Sequence, residues 1–430
     1  RGGVLGTLTA YRDALDYLFA RTTGKWKLGL DRMGALLDAI GRPHSSLRAF
    51  HVGGTNGKGS VTVTLAALLR AQGLRVAQYT SPHLVDFRER FLIDGVPITE
   101  HDVTDWIARR TPIVEQLGAT FFEATTAMGF ELFAAAKVDV AVVEVGLGGR
   151  LDATNVLTPL AAGVASIGID HTEYLGTTRE QIAFEKAGIF KPGRPALIGE
   201  PDAEIRELLA HHARIAGATP IRSVAEDAPV SDVVVEPTGG TSFTYSRRGS
   251  PALRLHTGLA GAHQASNTAL ALLMLEAAGG VPPKAADVLP SVTLPGRFQR
   301  VGRFIFDVAH NPDGAAVLAK TLQAVAPPKP IVAVVSVLAD KDWRGILTAL
   351  SASVDHFVLT SAPTAPESRA WRPEDAVTFA REHKWSADIE HDFARALAKG
   401  ESAGGTVLVT GSFHTVGDAM TNLQVSPLAG

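Results

Sequence analysis

Phe50-His51-Val52-Gly53-Gly54-Thr55-Asn56-Gly57-Lys58-Gly59-Ser60 is the stretch on which the reading of this chain turns. The apolar run 49–52 has the pattern of a buried strand. From Val61 to Gln72, Leu65, Leu68 and Leu69 share one helical face. The turn between them is rich in glycine and holds one lysine. Such a backbone can aim several N–H groups at one point, the helix start adds partial positive charge, and Lys58 adds a full one. That arrangement cradles a polyphosphate. The match to the strict phosphate-loop pattern is incomplete. Val52 stands where the first glycine belongs, and Gly59 stands where a Ser or Thr usually holds magnesium, with Ser60 one step late. A nucleoside triphosphate is therefore expected here, with metal ligands drawn partly from elsewhere. A glycine-rich turn that binds nothing is the bland alternative, and the ordered series of strand, loop, lysine and helix argues against it.

Outward from the loop, three further apolar runs end in polar residues. In open α/β sheets ligands sit beyond the carboxyl ends of strands. Residues 75–80 read as a strand followed by Ser81-Pro82-His83-Leu84, which places Ser81 and His83 toward the phosphates. Residues 138–144 read as a buried strand ending in Glu144, the usual place for a magnesium ligand beside a phosphate loop. Gly146-Leu147-Gly148-Gly149-Arg150-Leu151-Asp152 follows, with Ala153, Thr154 and Asn155, and its three glycines allow close backbone approach. Residues 160–169 read as a strand ending in Asp170-His171, where His171 serves equally as a structural histidine or a ligand. Thr178 is expected to cap a helix carrying Glu185-Lys186-Ala187-Gly188, whose lysine sits among apolar residues.

The rest of the chain supplies scale. At 430 residues it exceeds one ordinary core, and two domains are expected. Its 46% hydrophobic and 20% charged residues are the profile of a soluble globular protein. The 41 basic and 44 acidic residues nearly cancel, which gives no electrostatic case for nucleic acid or an anionic membrane. No cysteine is present, so disulfides, thiol catalysis and thiolate metal sites are excluded, and a cytoplasmic location is expected. No apolar run reaches the roughly 20 residues of a membrane span, and Arg1-Gly2-Gly3-Val4 is not the start of a signal peptide. Helices are expected over 8–19, 102–117 and 120–136, antiparallel hairpins over 233–255, and an alanine-rich helix from about 261 to 278. A hinge is expected at Leu294-Pro295-Gly296-Arg297-Phe298. Beyond it strands (304–307, 331–337, 356–360, 406–410) alternate with helices (313–325, 343–351, 374–383, 393–399). Polar groups again follow the strands: Asp307, His310 and Asn311; Asp340-Lys341-Asp342; Ser412-Phe413-His414. The fold class is thus α/β. An N-terminal phosphate-loop ATPase domain (1–295) has a mostly parallel sheet plus a small antiparallel sheet, and a C-terminal Rossmann-like α/β domain spans 296–430. From residues alone this is an ATP-dependent enzyme, and kinase, ligase and conformational ATPase all remain open. Trp26, between Lys25 and Lys27, reads on this basis as a surface tryptophan packed on the domain.

Taken together these segments resemble the bacterial dihydrofolate synthase/folylpolyglutamate synthases of the Mur ligase superfamily, over about Lys25 to Met420. The resemblance rests on Leu28-Gly29-Leu30-Asp31-Arg32, Gly54 to Ser60, Ser81 to Leu84, Phe122-Glu123, Glu144 to Asn155, Asp170-His171-Thr172 and Glu185 to Ile189. In the second domain it rests on Leu294 to Phe298, Phe306 to Pro312, Asp340 to Asp342 and Gly411 to Val416. It implies that Thr55, Asn56, Gly57, Lys58, Gly59 and Ser60 hold ATP, with Asn267, Arg297, Asp307 and His310. It implies magnesium at Ser81, Glu144 and His171, and a second magnesium at Lys186 once its amine is carboxylated. Lys58, His171, Lys186, Asp307 and His310 are the implied catalytic set. The implied pterin or folate pocket is Trp26, Lys27, Leu28, Phe121, Phe122, Glu123, Leu151, Asp152 and Ala153, which reverses the residue-based reading of Trp26.

The activity implied is ligation of L-glutamate to dihydropteroate and to folates through an acyl phosphate, by a monomer. A single-activity synthase is the nearest alternative, a cell-wall Mur ligase leaves the pterin-side segments unexplained, and a non-catalytic nucleotide switch leaves the second domain's polar groups without work.

Overall fold

The computed structural model describes residues 2–22, 29–280 and 284–428, with side chains from residue 10 onward. The expectations for Trp26, Lys27 and Leu28 lie outside the described residues.

An eight-stranded sheet organises the N-terminal half. Its strands are β1 (Ala49–Gly53), β2 (Val76–Tyr79), β3 (Phe91–Ile93), β4 (Val96–Pro97), β5 (Val140–Glu144), β6 (Ala161–Val164), β7 (Ala196–Ile198) and β8 (Ile221–Ser223), in the order β4-β3-β2-β5-β1-β6-β7-β8. The inner strands are parallel and buried on both faces, which is why they read as unbroken apolar runs rather than alternating ones. The helices Lys58–Arg70 and His263–Ala277 cover one face, with Leu65, Leu68, Leu69, Leu270 and Leu273 in the shared core. The helices Asp31–Ala39, Glu100–Leu117 and Phe121–Ala135 contribute to the core on the other side. Each fully buried Leu or Phe contributes about 1.5–3 kcal/mol relative to exposure. From β1 the chain moves past β5 to β2, then later crosses to β6 on the opposite side. β1 is therefore the switch point of the sheet, where such folds place their ligands.

A three-stranded antiparallel sheet follows, β9 (Val230–Val235), β10 (Thr241–Arg247) and β11 (Ser250–Thr257). The last unit is built on a six-stranded sheet: β12 (Gln299–Val301), β13 (Phe304–Asp307), β14 (Ile331–Val335), β15 (His356–Leu359), β16 (Ala387–Ile389) and β17 (Thr406–Thr410), ordered β12-β13-β17-β14-β15-β16. All its pairings are parallel except β12–β13. Mixed α/β units of both kinds were expected, and most long elements fall within a few residues of their expected bounds, the first helix excepted, which was expected over 8–19 and spans Gly2–Phe19.

Two differences have clear causes. The apolar run 160–169 leaves the sheet after Val164, because residues 165–170 bond to the phosphate loop instead. Thr55 N donates to Ser166 O (2.6 Å), Ser166 Oγ to Asn56 O (3.0 Å), and Thr55 Oγ1 to Gly168 O (3.1 Å). The strands β3, β4, β7, β8, β12 and β16 span two or three residues each, too short to leave a period in the sequence.

Candidate functional site

Register fixes the site before any side chain is considered. Val52 pairs with Glu144 on one side, and Gly53 pairs with Val164 on the other. The phosphate loop therefore emerges between Glu144 and the loop that carries Asp170 and His171. Tyr79 pairs with Val143, so Ser81 follows at the same edge. Gly57 is the residue before the helix Lys58–Arg70 and has φ +89°. A Cβ there would lie 2.6 Å from Asn267 Oδ1. Glycine is required at this position both for conformation and for space.

Two lysines meet beneath the loop. Lys58 Nζ donates to Gly54 O (3.0 Å) and Thr55 O (3.1 Å), and Lys186 Nζ donates to the same Gly54 O (3.0 Å). Neither ammonium forms an ion pair with a carboxylate among the described residues. Lys186 is buried, at 4% exposure. Burial and then the neighbouring Lys58 charge push its amine down to about 7. Burial also lowers Lys58, against the opposing pull of Glu144 and Asp170.

Glu144 is buried at 5% exposure and accepts from Ser81 N (3.2 Å). Burial pushes its carboxyl up, with Lys58 partly offsetting this through space. It forms no ion pair among the described residues. His171 has φ +52° and is held there by its N–H donating to Asp170 Oδ1 (2.8 Å). Loss of bulk water around its ring pushes it down to about 3, so the imidazole is neutral and free to act as a ligand.

A buried carboxylate lacking a paired cation, a neutral imidazole and a hydroxyl at one sheet edge suit a hard divalent ion. Ser81, Glu144 and His171 thus fit magnesium. Among the described residues no group of three or more His, Cys, Asp and Glu side chains is arranged to hold a metal ion by itself.

The second unit faces this edge. Asp307 ends β13, accepts from Phe298 N and Ala309 N (both 2.9 Å), and lies near enough to Arg297 for their charges to interact. Burial raises the Asp307 carboxyl and Arg297 opposes the rise. Arg297 lies 5.3 Å over the Phe413 ring. Asn267 donates to Gln264 (3.0 Å) and borders Gly57. His310 Nε2 lies 3.2 Å from Asp170 Oδ2, and Asn311 Nδ2 lies 3.4 Å from Asn56 Oδ1.

Among the residues expected to form a pterin pocket, Phe121 stacks on Phe19 (5.5 Å), and Phe122 packs near Tyr79 (6.4 Å) and under Gly146. Glu123, buried, caps the helix Phe121–Ala135 through Thr120 and pairs with Arg32 (2.7 Å). Asp152, buried, accepts from Leu147 N (2.8 Å), Thr154 N (3.0 Å) and the Thr154 hydroxyl, which itself meets His51 Nε2 (2.8 Å). Ala153 is buried beside it, and Leu151 is half-buried.

The sequence reading did not give Asp170, Asn311 and Lys341 a role. Asp170 accepts from the Lys341 ammonium, and from His310 and Asn311, across sequence separations of 171, 140 and 141 residues. The signal present was only that each follows a strand. Burial alone would raise the Asp170 carboxyl, but the His310 hydrogen bond and the nearby Lys341 charge hold it far below the usual carboxylate range.

This architecture is that of a two-unit, nucleotide-dependent ligase. Residues 52–275 match the Mur ligase middle domain, and residues 296–413 match the Mur ligase glutamate ligase domain. The dihydrofolate synthase/folylpolyglutamate synthase of Bacillus subtilis is 33% identical, over 97% of this chain and 100% of that protein. Folylpolyglutamate synthase of Mycobacterium tuberculosis, solved in complex with ADP, superposes with a TM-score of 0.88 at 34% identity, covering 96% of this chain and 98% of that one. A bifunctional folylpolyglutamate synthase/dihydrofolate synthase solved with Mn, AMPPNP and L-glutamate bound gives 0.83 at 35%, covering 96% and 98%. The chain belongs to the dihydrofolate synthase/folylpolyglutamate synthase family. Among the described residues no helix is long and apolar enough to cross a membrane.

Proposed function

We propose that this chain uses ATP to join L-glutamate to dihydropteroate, giving dihydrofolate, and to tetrahydrofolate and its polyglutamates. The observation that carries this reading is the pair of ammonium groups on Gly54 O beside the buried Glu144. A carboxylate is inert to amines because its leaving group would be oxide. Transfer of the γ-phosphoryl group to that carboxylate gives an acyl phosphate and ADP. The glutamate amine then attacks the acyl carbon, phosphate leaves with the C–O bond, and an amide forms.

The chain's own residues serve each stage. Asn56 to Ser60 offer backbone N–H groups and Lys58 its charge to the phosphates, with Thr55 bracing the loop against Ser166 and Gly168 and with Asn267, Arg297, Asp307 and His310 closing on the nucleotide. Charge placed where it develops in the transition state is the largest lever such a site has. A divalent ion at Ser81, Glu144 and His171, and a second at carboxylated Lys186, would spread the charge of the γ-phosphate. The Lys186 amine, at about 7, is unprotonated often enough to take up carbon dioxide, losing a proton and turning a cation into an anionic ligand. The pterin acid is taken by Trp26 to Leu28, Phe121 to Glu123 and Leu151 to Ala153. Closure of 296–430 onto 1–295 keeps water from the acyl phosphate. The described residues of the proposed nucleotide and metal sites all come from one chain, which is in line with a monomer.

ADP release measured with dihydropteroate and with tetrahydrofolate, each with and without glutamate, tests the reading. ADP is expected only when an acid is present. A response to one acid alone assigns a single activity, and ADP release independent of both acids overturns the ligase reading.

A further inference from the structure

We infer that Asp170 is a positioning residue that couples closure of the C-terminal unit to the conformation of His171. The inference rests on the ligase reading and goes beyond it.

The geometry is that of a clasp. The Asp170 side chain is 7% exposed, and the Lys341 side chain that reaches it is 9% exposed. Oδ1 accepts from the His171 N–H (2.8 Å) and the Lys341 ammonium; Oδ2 accepts from His310 Nε2 (3.2 Å) and Asn311 Nδ2 (3.3 Å). Three of these four donors belong to the second unit, and they come from two separate loops. His310 and Asn311 follow β13, whereas Lys341 follows β14, with β17 lying between those strands. One carboxylate gripped from two loops resists both sliding and rotation of that unit. The clasp also reaches the phosphate loop, because Asn311 Nδ2 lies 3.4 Å from Asn56 Oδ1.

The same carboxylate holds its neighbour. His171 has φ +52°, a region a histidine seldom adopts unless its surroundings impose it. The bond from His171 N–H to Asp170 Oδ1 restrains it on one side, while Tyr174 N and Leu175 N hold its carbonyl on the other. When the second unit is engaged, Lys341, His310 and Asn311 fix the Asp170 rotamer, and the His171 backbone is fixed with it. When the unit swings away, a buried carboxylate loses three donors and must find water. Asp170 therefore reports closure to a residue read as a metal ligand. This gives the Asp340-Lys341-Asp342 segment work through its lysine.

The test uses the full chain, Asp170→Asn, Lys341→Met and the double variant. ADP and amide product are counted in the same reaction, and small-angle scattering is recorded with and without AMPPNP. An open site lets water take the acyl phosphate, so the ADP-to-amide ratio is expected to rise at least about fivefold in each single variant. The KM for ATP should stay within about threefold, because neither substitution replaces a phosphate-loop residue. The double variant should be no worse than Asp170→Asn alone, and the compaction on AMPPNP expected of the wild type should be lost. A ratio and compaction like wild type in the single variants, or effects that multiply in the double variant, overturn the inference. If Asp170→Asn does not fold, Lys341→Met decides by the same two readouts. The ligase reading fails separately, on the wild type, if ADP appears without acid, and scattering then still judges the clasp.

Discussion

The carboxyl edges of the two parallel sheets are built from similar residues but satisfied in opposite ways. At the N-terminal edge Lys58 and Lys186 have only backbone carbonyls as partners, and Glu144 has a backbone N–H. At the C-terminal edge Asp307 is also held by backbone N–H groups, but the charges after β14 have side-chain partners: Asp340 takes Arg369 through two bonds (2.8 and 2.7 Å), and Lys341 takes Asp170 from across the cleft. The first edge holds unspent charge for a ligand. The second spends its charge on shaping loops and on gripping the first. On the proposed reading the two units divide the work, one holding phosphate and metal, the other setting when the site is closed.

The comparison breaks most sharply at Lys58. Lys58→Met is expected to lower acid-dependent ADP release by about 10³-fold, as removal of a preorganised donor does elsewhere. A loss under tenfold, read from initial rates, would mean that the N-terminal edge does not hold the γ-phosphate. Lys186→Met is next, with a loss of about 10²-fold that added bicarbonate does not restore.

Wild-type Lys186 carries a pH signature as well. Activity should climb as pH rises through about 7, because the neutral amine is the form that takes up carbon dioxide. Stability should follow the same direction in carbon dioxide-free buffer. Unfolded, the lysine keeps its proton to about 10.5; folded, it releases it at about 7. The unfolded state thus binds more protons between those values, and stability rises with pH across that window. Denaturant melts at pH 7 and 9 for wild type and Lys186→Met measure it. A slope of stability with pH that persists unchanged in Lys186→Met would place its cause elsewhere.

Gly57→Ala sharpens the geometric half of the contrast. A Cβ at φ +89° and 2.6 Å from Asn267 Oδ1 should lower stability by about 1–3 kcal/mol and weaken ATP binding. Gly57→Ala combined with Asn267→Ala should recover part of the stability but not the binding. The smallest effect belongs to the other edge. Asp340 and Arg369 are nearly half exposed, and Asp340→Asn should shift unfolding by no more than about 1 kcal/mol despite two short bonds.

Much of the N-terminal edge was legible in the sequence because it is local. Strand, glycines, lysine and helix are contiguous, and an acid or imidazole shortly after an apolar run betrays its place in the sheet. Even there the run 160–169 misled, since the strand ends at Val164 and Ser166 and Gly168 bond to the phosphate loop rather than to the ladder. The C-terminal edge was legible as elements but not as contacts. Nothing in residues 340–342 announces that Lys341 will meet Asp170, because that pairing depends on how two sheets face each other. Likewise, Glu123 and Asp152 could be singled out from their motifs. Their hydrogen bonds to Thr120, Arg32, Leu147 and Thr154, however, belong to the folded chain.

The central claim is that the acid itself attacks ATP at this edge, and isotope transfer tests it most directly. With dihydropteroate labelled by 18O in its carboxylate, ATP and glutamate, one labelled oxygen should appear in each inorganic phosphate released, as the acyl C–O bond breaks. Phosphate free of label, with amide formed, would contradict the acyl phosphate and with it the account of why this edge is built as it is.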